Sequence, residues 1–173
     1  MSSRFTRSRW KAGTVYALPL SDNTFGVGQA IASMWPTLIY VALFSQHLPA
    51  IPEVLPQLLR RDVVALVATW RRDLNGGRWA TVGRAEPVVE KREFPNERFA
   101  EAGYTGAKWY DSGLLCDLLS AYFSLTPWNA MHDENYWDKM LAPGISRPEN
   151  AIVLSPRDRE LYRATLTQTR FDA

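Results

Sequence analysis

Cysteine, histidine and long apolar runs are all scarce in this chain, and each scarcity excludes a class of function. One cysteine, Cys116, in 173 residues rules out an internal disulfide and any cysteine-rich zinc site. That usage fits a reducing compartment, and a cytoplasmic location is expected. Two histidines, His47 and His132, leave most histidine-based metal sites and acid–base relays without their ligands. The longest mostly apolar stretch, Thr37 to Phe44, falls far short of the roughly 18 residues a membrane span requires. The first residues carry charge with no apolar segment behind it, so a secretory signal is not expected. Phosphate-binding loops, dinucleotide fingerprints and paired-histidine helices are missing as well. Gly26-Val27-Gly28 lacks a third glycine and a following helix, which argues against phosphate cradling. Cys116 lies between Leu115 and Leu118 on a helix face and reads as a small buried side chain rather than a nucleophile. The expectation is a non-enzyme without metal or cofactor.

What is there describes one globular domain. The chain is 46% hydrophobic, 12% aromatic and 22% charged, a composition that supports a single sizeable core. Seven tryptophans suggest a broad rigid core or an aromatic contact surface. Arg4, Arg7, Arg9 and Lys11 form a basic arm over residues 1–12, and the rest of the chain holds 16 basic against 18 acidic residues. Residues 13–173 are expected to form the domain itself.

Apolar alternation and β-branching predict strands over Thr14 to Leu20, Thr24 to Ser33 and Thr37 to Ser45, the last apolar on both faces as in a doubly covered central strand. Val63 to Trp70 and Arg78 to Gly83 read as further strands, and Pro87-Val88-Val89 as the start of another. A short helix is expected over Glu53 to Arg60, interrupted by Pro56. Later, Ser112 to Ser124 repeats leucines at helical spacing, with Asp111 or Ser112 as N-cap. Ala151 to Leu154 suggests a short strand. Ser155-Pro156 opens a final helix to about Thr169, with Leu161, Tyr162 and Leu166 inward. Strands first and helices after imply an α+β fold, with a curled antiparallel sheet or small β-barrel in the N-terminal half.

The most distinctive stretch runs from Asp111 to Asp138. It carries Asp111, Asp117, Asp133, Glu134 and Asp138 and no Lys or Arg. Trp128, Tyr136 and Trp137 are interleaved with the acids. Rigid aromatics ringed by charge suit a protein–protein hot spot, in which carboxylates steer a basic partner. The same pattern suits core aromatics beside a wet acidic face, and the residues alone leave both open. His132-Asp133-Glu134 is the one local meeting of imidazole and carboxylates; a metal site or general base there would need a further ligand brought by folding, adjacent residues on a helix point apart, and an exposed helix start is the preferred account of the acids.

Lys11-Ala12-Gly13-Thr14-Val15-Tyr16-Ala17-Leu18-Pro19-Leu20, then Asp22-Asn23 and Phe25-Gly26-Val27-Gly28, together with Gly77-Arg78-Trp79, Val82-Gly83 and Pro87, resemble the immunity protein 26 family of bacterial polymorphic toxin systems. Gln29 stands where that family usually has a basic residue, and the resemblance covers about residues 11–90. It implies a cytoplasmic antitoxin that neutralises a cognate toxin and supplies no catalytic residues. A basic, nuclease-like toxin would meet the acidic segment, making Asp111, Asp117, Trp128, Asp133, Glu134, Tyr136, Trp137 and Asp138 the expected partner-binding residues. The second reading is a small nucleic-acid-binding barrel that uses the basic arm and the mid-chain arginines.

Overall fold

Alternating apolar residues and turn chemistry in the first half of the chain produce five strands. The computed structural model describes residues 9–169. Arg4 and Arg7 of the basic arm lie outside the described residues, while Arg9 and Lys11 are exposed. The strands are β1 (Thr14–Pro19), β2 (Phe25–Trp35), β3 (Leu38–Leu48), β4 (Val63–Trp70) and β5 (Ala80–Arg84). All pairs are antiparallel, in the order β4-β3-β2-β1-β5. β4 and β5 are edges, so the sheet stays open: the fold is α+β, and the barrel alternative is not adopted.

The pleat of β3 sorts its side chains cleanly. Ile39, Val41 and Leu43 point to one face and Leu38, Tyr40, Ala42 and Phe44 to the other, all buried, so the central strand is covered on both sides as its sequence implies. The first face is covered by α2 (Ser112–Tyr122) and the chain that follows it, which bring Leu115, Leu118, Leu119, Trp128, Trp137 and Met140 against Tyr16, Leu18 and Val67. Asp111 starts this helix by accepting a hydrogen bond from the Gly113 amide at 2.7 Å. A Cβ on Gly26 would lie 2.5 Å from Leu119 Cδ1, so glycine is what lets α2 sit this close to β2.

Among the described residues, no long helix covers the second face. Residues 85–107 lie across it, with 3-10 turns at Lys91–Glu93 and Pro95–Ala102. Polar contacts hold this segment down. The Gln29 side chain, fully buried, donates to the carbonyls of Ala85 (3.2 Å) and Glu86 (3.1 Å) and accepts from the Val88 amide (3.2 Å). That engagement explains why Pro87-Val88-Val89 is not a strand: the Val88 amide is bonded to a side chain instead of a ladder. Glu97 accepts from the hydroxyls of Tyr40 (2.8 Å) and Tyr104 (2.9 Å), and the Tyr40 ring stacks on Phe94 with centroids 4.3 Å apart. Burial first, then the hydrogen bond to Glu97, pushes the Tyr40 phenol pKa up.

Three other expectations are corrected. Residues 53–59 form no helix, because Pro52 and Pro56 restrict the backbone and remove amide donors, and only a 3-10 turn at Arg60–Asp62 follows. Residues 151–154 are not a strand. The Trp128 amide donates to the Ile152 carbonyl (2.7 Å), and the Asn129 side chain bonds both the amide and the carbonyl of Leu154 (2.9 Å each). The short α1 (Arg71–Asn75) follows β4, and α3 (Pro156–Thr169) closes the described chain. Leu161 and Leu166 of α3 are 60% and 49% exposed instead of inward. The helix is moored by charge: Arg159 donates to the carbonyls of Asn129 (2.5 Å), Met131 (2.5 Å) and His132 (2.7 Å), so no apolar stripe is needed. Among the described residues, no helix is long and apolar enough to cross a membrane.

Candidate functional site

The Asp111–Asp138 stretch takes the core assignment for its tryptophans. Trp128 is 0% and Trp137 3% exposed, so neither presents a surface to a partner. The cause is packing: the first sheet face is lined by residues such as Leu18, Val41 and Val67, and both indoles join the cluster that covers them. Tyr136 is half-buried and meets Trp137 edge to face at 5.3 Å. The carboxylates of this stretch are engaged within the domain. Asp138 accepts from the Trp128 indole N–H (3.1 Å), and Asp111 both caps α2 and lies 3.3 Å from an Arg78 guanidinium nitrogen. Asp133 pairs with Lys139, and Glu134 with Arg159 at 3.3 Å. The hydrogen bond from Lys139, aided by the Asn135 amide, holds the Asp133 carboxyl below its usual range. Asp117 is exposed on α2. These residues therefore form the outer seam of the C-terminal half, with the acids turned toward their own chain.

Residues 131–137 are turns and bends rather than a helix start, and the His132 carbonyl is held by Arg159. No group of three or more His, Cys, Asp or Glu side chains is arranged to hold a metal ion among the described residues. Cys116 is buried, and desolvation pushes its thiol pKa up to about 12. A thiol so shifted is protonated at neutral pH and is a poor nucleophile.

A different aromatic surface lies at the turn end of the β2–β3 hairpin. Trp35 and Trp109 are 50% and 45% exposed. In the sheet register Trp35 opposes Leu38 and Leu38 opposes Trp70, which places Trp35 and Trp70 on one face, two strand spacings or about 10 Å apart. Trp35 meets Tyr104 edge to face (5.9 Å, 85°) and Trp70 meets Trp109 likewise (5.9 Å, 76°). The Arg72 guanidinium sits 5.3 Å from the centre of the Trp70 ring, within cation–π range.

The backbone on either side of Trp109 is clamped. Tyr110 bonds the β4 edge through its amide to the Ala68 carbonyl (2.9 Å), and its carbonyl accepts from the Thr69 hydroxyl (2.8 Å). The Asn96 side chain bonds both the amide (3.1 Å) and the carbonyl (2.6 Å) of Lys108. Two surface hollows flank the Trp70–Trp109 pair. One of about 570 Å³ is lined by Thr37, Trp70, Arg71, Arg72, Asn75 and Gly76. The other, about 440 Å³, includes Lys108, Trp109, Tyr110, Leu114, Tyr136 and Lys139. Tyr136 is thus the one expected contact aromatic that reaches this surface.

Sequence reasoning missed the rim because its rings come from separate segments that only strand register brings together. One signal was available: Trp35 directly precedes Pro36 between two strongly apolar strands, a place where an aromatic has little sheet to hide in. No protein-family model matches this chain, and no curated protein or solved structure matches it at a significant level.

Proposed function

We propose that this chain is a non-catalytic cytoplasmic binding protein of the immunity type, which neutralises a cognate bacterial toxin by masking it. The observation that carries the reading is the pair of solvent-exposed tryptophans at one end of the sheet, Trp35 at the hairpin tip and Trp109 on backbone clamped to the β4 edge. Aromatic side chains held rigid in the free protein lose little entropy on binding and supply much apolar contact area, as hot spots do. The resemblance of residues 11–90 to immunity protein 26 chains supplies the class of partner. Co-expression with the product of the adjacent upstream gene tests the reading directly. The expected result is rescued growth and a complex that co-purifies. Toxicity unchanged by the folded chain, with no complex formed, would reject it.

Nucleic-acid binding is the second reading, favoured by the arginines that border the tryptophans. It expects affinity for an oligonucleotide that falls steeply as salt rises.

A further inference from the structure

The rim has a charge character of its own, opposite to that of the Asp111–Asp138 seam. Arg71, Arg98 and Lys108 are exposed, and none of the three takes part in an ion pair among the described residues. Arg71 lines the hollow beside Trp70, and Lys108 lines the hollow beside Trp109. Arg98 and Lys108 share a smaller hollow of about 140 Å³ along the β4 edge. The nearby acids are occupied: Asp73 lies 3.6 Å from Arg72 and accepts from the Ser112 amide, Asp111 is with Arg78, and Asp133 is with Lys139. Uncompensated positive charge therefore brackets the exposed rings.

We propose that the Trp35–Trp70–Trp109 rim, with Arg71, Arg98 and Lys108, grips a carboxylate-rich segment of the partner protein. The proposal rests on the reading of the chain as a toxin-binding protein and reverses the sign of the contact expected from the sequence. Tryptophans supply the desolvated centre, and the bordering cations pair with Asp or Glu side chains of the partner, which steers association and fixes orientation. The side chains gathered at the rim are Trp, Tyr and Arg, in contact with one another edge to face and through a cation–π pair. Trp, Tyr and Arg are also the residue types in which protein hot spots are enriched.

Titration calorimetry with the purified adjacent-gene toxin, made harmless by substitution in its own active site, tests the assignment at low and at high salt. Trp109→Ala is expected to weaken binding by about 30-fold or more, the loss typical of a hot-spot truncation. The double variant Arg71→Glu with Lys108→Glu, both exposed and outside the core, is expected to weaken it by about tenfold or more and to flatten its salt dependence. An acidic-seam control, Asp117→Asn with Glu134→Gln, is expected to bind as the parent chain does. If the parent binds and the rim variants bind equally well, the surface assignment is overturned while the toxin-binding reading stands. If the parent does not bind, the reading fails and takes the assignment with it. If the rim variants lose affinity only for an oligothymidylate probe, the surface belongs to nucleic acid and the proposal is overturned.

Discussion

Trp128 and Trp137 are 0% and 3% exposed, while Trp35 and Trp109 stand at 50% and 45%. All four are tryptophans of one small domain, yet the fold treats the two pairs in opposite ways. The first pair follows α2 and is drawn over the sheet face that α2 begins to cover. The second pair lies where the sheet ends, at a hairpin tip and on a loop clipped to an edge strand. Charge follows the same division. Acids beside the buried pair bond indole, guanidinium or ammonium groups of their own chain, whereas Arg71, Arg98 and Lys108 around the exposed pair engage no carboxylate. Density of aromatic and charged residues in a sequence is thus a poor guide to which tryptophans face water. Position relative to the end of a sheet is the better one.

The largest expected effect separates the two pairs by stability. Trp128→Ala empties a fully buried position and should cost about 3–5 kcal/mol. Trp109→Ala should cost well under half of that, because nearly half of its ring surface already meets water. Urea unfolding of both variants checks the difference, and equal losses would break the comparison.

A middle effect concerns an acid that looks like a surface charge but serves the core. Asp138→Ala leaves the Trp128 indole N–H without its acceptor in a buried site and should cost about 1–3 kcal/mol. A denaturation midpoint equal to that of the parent chain would return Asp138 to the surface.

The smallest effect is electrostatic. Lys139 holds the Asp133 carboxyl below its usual 3.8 in the folded state. Its contribution is therefore present above that pH and is lost as the pH falls through the lowered folded value. Asp133→Asn should leave the melting temperature at neutral pH almost unchanged and make the acid side of the stability profile slightly shallower. A large loss at neutral pH would mean that the acidic seam matters more than its exposure implies.

Much of the scaffold is legible in the sequence. Alternation in Thr14–Pro19, the doubly apolar run of β3 and the leucine spacing of α2 each locate an element, because burial on one or both faces leaves a period that the chain itself displays. The close approach of α2 to Gly26, made through Leu119, is a matter of tertiary packing. Short segments escaped. Val88 was drawn out of a strand by a single buried side chain, Gln29, and residues 151–154 were tied down by Asn129. Such bonds join residues far apart in sequence and leave no local period.

Local chemistry by itself determined where strands and α2 begin, and that the acids crowd into Asp111–Asp138. Only the tertiary structure decided which tryptophans face water. The reason is that exposure depends on what else covers a ring, and here the covering comes from strand register and from segments that meet only after the sheet has formed.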